Sequence, residues 1–211
     1  MLDAYLGRAE PLVRRWLRSA LWLAVVVPAP AMVALLLLDQ LGANPIRELE
    51  HMSGEWALRF LIGSLAVTPL IRLTGWGWLI AERKFLGLAA FYWALLHLSV
   101  YTVLDWFFDW AEIWKDIAEH LYITLGMLAF ALMIPLALTS TKGAIRRLGA
   151  VRWKRLHALV YVSVVAACVH FVWAVKKDIE EPLMYAGTAA AVLALRLVRR
   201  RSSSGTNVSS L

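Results

Sequence analysis

The sequence predicts an all-α membrane protein, a bundle of six transmembrane helices with both chain ends on the cytoplasmic side. Hydrophobic residues make up 61% of the 211 residues, and the mean hydropathy is +0.64, whereas a soluble domain is about half apolar. Six apolar segments approach the roughly 20 residues that a helix needs to cross a bilayer. Lysine and arginine also gather in alternate loops, as they do in multi-pass membrane proteins.

The six segments fill most of the chain and are separated by short polar connections. They are residues 21–38, 56–73, 85–104, 121–138, 156–175 and 182–198. Pro28 and Pro30 lie inside the first segment and predict a kink there, because proline has no backbone donor. We therefore expect a cytoplasmic N-terminal segment at residues 1–20, a six-helix domain at 21–198 and a cytoplasmic tail at 199–211. The tail is rich in serine and has too few apolar residues to form a core, so we expect it to be disordered.

The charged residues divide unequally between the two sides of the membrane. With the N-terminus inside, 17 of the 22 lysines and arginines and 3 of the 15 acidic residues lie on the cytoplasmic side, a net charge of +14. The outer side then holds 5 basic and 12 acidic residues, a net charge of −7. The positive-inside rule predicts this orientation. It also explains the overall charge of +7 by topology, so we expect membrane lipid and no nucleic acid as a partner.

Two classes of site are missing from the sequence. Cys168 is the single cysteine, which excludes an intrachain disulfide and a cysteine-based zinc or iron–sulfur site. The sequence also contains no glycine-rich phosphate loop and no dinucleotide-binding fingerprint. A nucleotide domain within this chain is therefore not expected.

The outer loop at residues 105–120 is rich in aromatic and acidic residues. Trp106, Trp110 and Trp114 are spaced four residues apart, which suits a short amphipathic helix in the membrane interface. The acidic residues expected to face water are Asp105, Asp109, Glu112, Asp116 and Glu119. The aromatic side is either a membrane belt or a docking surface for a periplasmic partner.

Two of the five histidines lie at the same depth on different predicted helices. His97 is 12 residues from the cytoplasmic end of the third segment, or about 18 Å, and His170 is 13 residues from that of the fifth, or about 19–20 Å. Ionisable residues at membrane depth indicate function, and facing imidazoles are the axial ligands of a six-coordinate haem iron. We therefore predict that His97 and His170 bind the iron of a haem b. His51 lies in an outer loop and His120 at the outer edge of the fourth segment, so we expect neither to bind the iron.

A third histidine, His157, lies near the cytoplasmic end of the fifth segment with no histidine opposite. Arg83 and Lys84 lie at that depth on the third segment and would bind haem propionates or a flavin phosphate, or simply anchor the helix. His157 is thus a candidate ligand of a second, inner haem iron, so the haem count is one or two. Thirteen residues place His157 and His170 about 140° apart on an ideal helix. Both can face one cleft only if the helix is distorted, for example by a π-bulge.

Several motifs resemble the MsrQ (YedZ) family of membrane proteins. They are RKFLGLAAFYWALLH at residues 83–97, WALRF at 56–60, TPL at 68–70, LALTS at 136–140 and RRLG at 146–149, followed by Trp153, Leu156, His157 and Tyr161. The resemblance covers about residues 15–200. It implies a haem-binding subunit with a ferric-reductase-like transmembrane domain, similar to the membrane part of NADPH oxidases and STEAP proteins. Those relatives carry two histidines on each of two helices, whereas the third segment here has only His97.

The resemblance also implies a place in electron transport. Members of the family take electrons from the quinone pool or from a cytoplasmic flavin reductase, and pass them across the bacterial inner membrane to MsrP. MsrP is a periplasmic molybdoenzyme that reduces methionine sulfoxide in proteins. FMN binding is implied by the resemblance alone. We therefore expect an electron-transfer subunit that is not itself the methionine sulfoxide reductase.

Two other functions fit part of this pattern. A quinone-linked cytochrome b anchor of a different periplasmic oxidoreductase would share the haem but not the partner. A haem-free transporter or scaffold would place charged residues around a central cavity. Few charged residues lie away from the helix ends in this sequence, which disfavours the transporter.

Overall fold

The computed structural model describes the backbone of residues 2–175 and 178–197, and the side chains of this part from residue 11 onward. Every long regular element in it is a helix, which confirms the all-α prediction. The helices are α1 (Leu2–Val26), α2 (Pro28–Leu37), α3 (Pro45–Thr74), α4 (Ile80–Ser99), α5 (Trp110–Glu119), α6 (Leu121–Leu138), α7 (Lys142–Leu148), α8 (Ala150–His157), α9 (Leu159–Ala174) and α10 (Glu180–Leu197). The predicted tail at 199–211 lies outside the described residues, as do Lys176, Lys177 and Val198.

Five stretches of helix in the described residues are long and apolar enough to cross a membrane. They are Pro11–Leu37, Pro45–Thr74, Gly77–Asp105, Leu121–Leu138 and Ala150–Ala174. The sixth predicted segment, 182–198, corresponds to α10, whose 18 residues include Glu180, Glu181 and Arg196. α10 has three charged residues among its 18, whereas each of the five apolar stretches contains 18 consecutive residues with at most two. The described residues therefore contain five candidate spans. They also contain α10, which is more polar and as long as the shortest of these spans.

The first span is interrupted at its prolines, as expected. α1 ends at Val26 and α2 begins at Pro28, which has no backbone donor. The amide of Val27 still bonds to the carbonyl of Leu23 at 2.9 Å, so the chain bends without leaving the helical conformation. The helix begins at Leu2, well before residue 21, and therefore includes most of the predicted N-terminal segment.

Two helix pairs form the centre of the molecule. α3 packs along α4 and α6 packs along α9, while fewer contacts join α4 to α6 and α3 to α9. α10 lies against α3 and α9. Leu65, Ala90 and Val164 are almost fully buried in this centre. The two pairs meet where α4 contacts α6 and where α3 contacts α9. One helix of each pair carries a histidine, His97 on α4 and His170 on α9.

Arg196 anchors the C-terminal end of α10 to its neighbours. Its guanidinium donates hydrogen bonds to the Leu65 carbonyl at 2.8 Å and to the Thr68 hydroxyl at 2.6 Å, both on α3. It also donates to the Tyr161 hydroxyl on α9 at 2.8 Å. Because lipid offers a charge no hydrogen-bond partner, these three bonds stabilise an otherwise costly arginine.

Two irregular turns lie in the helices that carry the histidines. After α4 the chain continues into a π-helical turn, Val100–Asp105, which begins three residues beyond His97. α8 and α9 meet at Ala158, whose amide bonds to the carbonyls three and four residues back. The helix between His157 and His170 is therefore distorted by a tightened turn at Ala158. The π-helical turn instead follows His97, at the end of α4.

The outer loop forms the predicted short helix, α5. Asp109 caps it by accepting hydrogen bonds from the amides of Ala111 and Glu112 at 3.1 and 3.2 Å. Ile113 is buried against the bundle, with an exposed fraction of 4%. Because α5 follows one candidate span and precedes the next, it lies at a boundary of the membrane.

The expectation that three tryptophans share the α5 helix is wrong for Trp106. This residue lies before α5 and packs against Tyr101, with ring centroids 6.4 Å apart. Phe107 and Phe108, which follow it, have left-handed backbone angles with φ of 46° and 63°. Bulky residues rarely adopt this conformation. These two residues interrupt the helical conformation between Trp106 and the start of α5, so the spacing of four residues does not place Trp106 on that helix.

Candidate haem site

His97 and His170 face each other across the seam between the two helix pairs. Their ring centroids are 6.2 Å apart and the ring planes meet at 73°. His97 lies near the end of α4 and His170 near the end of α9. Both side chains are partly buried. The two residues that share a depth in the sequence are thus neighbours in the structure.

The ring of His97 is held by α3. Its Nδ1 atom lies 2.9 Å from the Glu50 carbonyl oxygen and 3.3 Å from the Ser53 hydroxyl. A carbonyl can only accept, so Nδ1 carries the proton and the Nε2 lone pair remains free. Gly54 lies beneath the ring, and a Cβ atom at this position would be 3.3 Å from two ring atoms.

The ring of His170 is held in the same way by α6. Its Nδ1 atom lies 2.7 Å from the Tyr122 carbonyl oxygen, which again leaves Nε2 free. Gly126 lies against this ring more closely, because a Cβ atom there would be only 2.8 Å from Nδ1. The aromatic ring of Tyr122 also stacks on the imidazole, with centroids 6.1 Å apart.

The two supports share one local pattern. On each supporting helix a residue whose carbonyl accepts from the imidazole is followed four positions later by glycine: Glu50 and Gly54 on α3, Tyr122 and Gly126 on α6. Four residues is about one helical turn, so the glycine lies next to the carbonyl on the helix surface. The absence of a side chain lets the ring approach the backbone. Each imidazole is therefore fixed in orientation by a neighbouring helix.

This arrangement fits a haem iron held between the two rings. With metal–nitrogen bonds of about 2 Å and about 1.1 Å from each nitrogen to its ring centre, imidazoles on opposite sides of one iron have centres roughly 6.2 Å apart. The observed separation is 6.2 Å. Metal-binding histidines usually donate their other ring nitrogen to a carbonyl or carboxylate, as both do here. The residues present thus match the donor set of a b-type haem.

His157 has a different environment. It stacks on Trp153, with ring centroids 3.9 Å apart, and its Nε2 lies 3.0 Å from the Thr139 hydroxyl on α6. That hydroxyl donates to the Pro135 carbonyl at 2.6 Å, so it accepts from His157, and Nε2 carries the proton. The nitrogen that is free in His97 and His170 is therefore occupied here.

The two basic residues predicted to accompany His157 lie at the start of α4. Arg83 is partly buried and Lys84 is exposed. The Arg83 carbonyl accepts a hydrogen bond from Ser64 on α3 at 2.9 Å, which fixes the backbone here. The hydrogen bonds and ion pairs of the described residues do not link either basic side chain to His157.

The remaining histidines lie outside the facing pair, and His51 lies within α3 rather than in the predicted loop. His51 contacts the Glu55 carboxylate at 3.4 Å, and its side chain is 35% exposed. His120 contacts Asp116 at 2.8 Å, and its side chain is 48% exposed. Asp116 itself, expected to face water, is only 16% exposed. Both histidines thus have carboxylate partners near the outer surface.

Sequence reasoning identified the two facing histidines but missed their supports. The backbone carbonyls of Glu50 and Tyr122 cannot be recognised as histidine supports from residue type, since every residue has a backbone carbonyl. Gly54 and Gly126 did offer a signal, because a glycine inside an apolar helix weakens it and usually has a packing reason. The spacing of four residues from the supporting carbonyls becomes visible only in the structure.

Comparison with known proteins agrees with the geometry. Residues 53–168 match the family described as Ferric reductase like transmembrane component. This match includes His97 and His157 and ends two residues before His170. No solved structure matches the chain.

Several curated relatives share close to half of their aligned residues with this chain. A protein of Rhodospirillum rubrum is 47% identical over 189 residues, which cover 88% of this chain and 91% of the relative. One of Herminiimonas arsenicoxydans is 46% identical, with 85% and 83% covered. One of Xanthomonas euvesicatoria pv. vesicatoria is 47% identical, with 78% and 75% covered.

All three relatives have the name protein-methionine-sulfoxide reductase heme-binding subunit MsrQ. The family is a transmembrane one, and several helices here are long and apolar enough to span a bilayer, so the protein is a multi-pass membrane protein. The chain therefore belongs to the ferric reductase like transmembrane component family and, within it, to the MsrQ group of protein-methionine-sulfoxide reductase subunits.

Proposed function

We propose that this protein holds a b-type haem between His97 and His170 and uses it to pass electrons across the membrane. The facing pair of imidazoles carries the proposal, since both rings have Nδ1 bound to a carbonyl and Nε2 free. The names of the curated relatives, which are haem-binding subunits, support it independently.

The residues of the chain would bind and tune the cofactor. A haem supplies one-electron redox chemistry, and its potential depends on the axial ligands and on the polarity of its surroundings. Carbonyl oxygens at Glu50 and Tyr122 hold the two imidazoles in orientation and in the tautomer that leaves Nε2 free. Apolar side chains of the surrounding helices would exclude water from the iron.

The direction of transfer follows from the proposed topology. We infer six membrane helices within residues 21–198, including α10, with both termini in the cytoplasm of a bacterium and the protein in its inner membrane. The basic residues on one side and acidic residues on the other support this orientation. Because α4 and α9 both end beyond their histidines at the acidic side, the pair would lie in the outer half of the membrane.

The electron donor and acceptor come from the resemblance and from the relatives' names. The donor would be the quinone pool or a cytoplasmic flavin reductase. The acceptor would be an MsrP-type periplasmic molybdoenzyme that reduces methionine sulfoxide, since the relatives are subunits of a methionine sulfoxide reductase system. The reduction of the sulfoxide itself would belong to that partner.

His157 is proposed as a second cofactor residue near the cytoplasmic side. It would bind the iron of an inner haem or lie beside FMN or quinone, with Arg83 and Lys84 as binding groups for propionate or phosphate. Its Nε2 donates to Thr139 in this structure, so binding iron through that nitrogen requires this hydrogen bond to break. FMN is supported by the resemblance alone.

The test is spectroscopic. The purified protein should show the reduced-minus-oxidised spectrum of a b-type cytochrome, and both His97→Ala and His170→Ala should lose most of the bound haem. His51→Ala is the matched control, because it removes an imidazole near the same outer end without removing a ligand. Full haem occupancy in either ligand variant would remove that histidine from the site.

Two further observations separate the rival functions. Co-purification with a molybdopterin protein supports the methionine sulfoxide reductase system, whereas a different oxidoreductase in its place indicates another cytochrome b anchor. A preparation without a Soret band, from cells with ample haem, would instead indicate a transporter or scaffold.

A further inference from the structure

A line of ring contacts runs from the candidate haem site to the outer surface. The Tyr122 ring stacks on His170 with centroids 6.1 Å apart, and His120 lies 5.7 Å from Tyr122. The His120 side chain is 48% exposed. Two ring contacts therefore separate His170 from solvent. On the other side of the site, His97 faces α3 and the bundle interior.

α5 lies beside His120 and has two chemically different sides. At about 100° per residue, Trp110 and Trp114 fall on one side of α5, while Glu112 and Glu119 fall on the opposite side. The tryptophans are 59% and 69% exposed. Buried Ile113 marks the direction of the bundle, between these two sides.

The position of α5 assigns each side to an environment. A helix at the membrane boundary places its aromatic side in the lipid interface and its charged side in water. This arrangement favours the membrane belt over the docking surface as the role of Trp110 and Trp114. Glu112 and Glu119 then face the aqueous space in which a soluble partner moves.

Asp116 connects the acidic side of α5 to the end of the ring contacts. It accepts a hydrogen bond from the Tyr101 hydroxyl at 2.7 Å and contacts His120 Nδ1 at 2.8 Å. Glu112, Asp116, Glu119 and His120 thus form one continuous surface, here called the acidic patch. Lys115 is the basic residue within it and lies 3.4 Å from Glu112, which leaves the patch with a negative charge.

We propose that the protein accepting electrons docks on the acidic patch with a positively charged surface, and that Trp110 and Trp114 take no part in docking. This inference depends on the proposed electron-transfer function. A partner bound over His120 would lie two ring contacts from His170. Complementary charge would raise the association rate and orient the partner, as is usual for electrostatically steered complexes.

The experiment measures binding rather than turnover. The full-length protein is placed in lipid nanodiscs, and the periplasmic molybdoenzyme of the same methionine sulfoxide reductase system is passed over it in surface plasmon resonance. At low salt, the double variant Glu112→Lys/Glu119→Lys should associate roughly ten-fold more slowly. High salt should slow the wild-type protein and reduce this difference.

The matched control makes the same charge change at another part of the outer surface. Asp178→Lys/Glu180→Lys alters two exposed residues at the start of α10, a helix that packs on α3 and α9 rather than on α5. Its association rate should stay within about two-fold of wild type, because steering depends on charges near the docking surface. Trp110→Ala/Trp114→Ala should also bind normally.

Three results would overturn the docking proposal. The first is an unchanged association rate in the α5 charge variant, and the second is an equal loss in the α10 control. The third is loss of binding in the tryptophan variant alone, which would assign docking to the aromatic side. Because the assay detects binding without any spectrum, a haem-free preparation would refute the proposed function separately.

Discussion

Substituting Gly126 by alanine tests whether the carbonyl-and-glycine support of His170 determines haem binding. The new Cβ atom would lie 2.8 Å from His170 Nδ1, whereas ordinary contact begins at 3.4 Å, so the ring must retreat by about 0.6 Å. Retreat from α6 lengthens the 2.7 Å hydrogen bond to the Tyr122 carbonyl to about 3.3 Å, beyond the usual range for an N–H donor.

The same movement also disturbs the spacing between the two rings. A shift of about 0.6 Å toward His97 would reduce the 6.2 Å separation well below what two metal–nitrogen bonds require, since such bonds tolerate about 0.2 Å. Loss of an outer partner of a metal ligand typically lowers metal affinity roughly 10–100-fold. We expect a loss of haem affinity in this range for Gly126→Ala.

Haem affinity is measured by titrating haem into apoprotein, with haem per chain as a second readout. Gly54→Ala is the graded comparison, because its Cβ would lie 3.3 Å from the His97 ring and requires only a small adjustment. Gly63→Ala is the neutral control, with its nearest neighbour at 3.7 Å. Alanine is a better helix former than glycine, so weaker helix propensity cannot explain a loss. Wild-type affinity in Gly126→Ala would refute the reasoning.

Three further predictions follow from the contacts described above. Arg196→Met removes three interhelical hydrogen bonds of about 0.6 kcal/mol each and should lower the free energy of unfolding by roughly 2 kcal/mol; an unchanged thermal midpoint in nanodiscs would contradict this. His157→Ala should keep the haem held by the facing pair but alter a second haem signal or the rate of reduction, and an unchanged spectrum with normal turnover would make it a structural residue. His51→Ala and His120→Ala should keep wild-type haem content in a pyridine haemochromogen assay, because neither imidazole faces the pair.

The helical fold and the facing histidines were predictable from the sequence, because both depend on fixed helix geometry. A rise of about 1.5 Å per residue converts sequence distance into depth. His97 and His170 were therefore placed at one level without knowledge of helix packing. The amphipathic helix α5 was predictable for a similar reason, since its pattern of charged and aromatic residues is local.

Features that depend on backbone conformation or on packing were not predictable. The π-helical turn after α4 and the tightened turn at Ala158 have no specific residue signature. The position of Trp106 could not be read from its spacing, because two left-handed residues, Phe107 and Phe108, intervene before α5. Likewise, no sequence pattern shows that the His157 nitrogen is already bonded to Thr139.

The division of the bundle into two helix pairs has a consequence for biogenesis. Each imidazole is oriented by a carbonyl from its own pair, His97 by α3 and His170 by α6, so the orientation of each ring is set before the two pairs are joined. Within the described residues, α10 bridges the two pairs by packing on both α3 and α9. A prosthetic group bound to both His97 and His170 would connect the two helix pairs directly. In cells short of iron porphyrin, helix contacts and α10 alone would then hold the two pairs together.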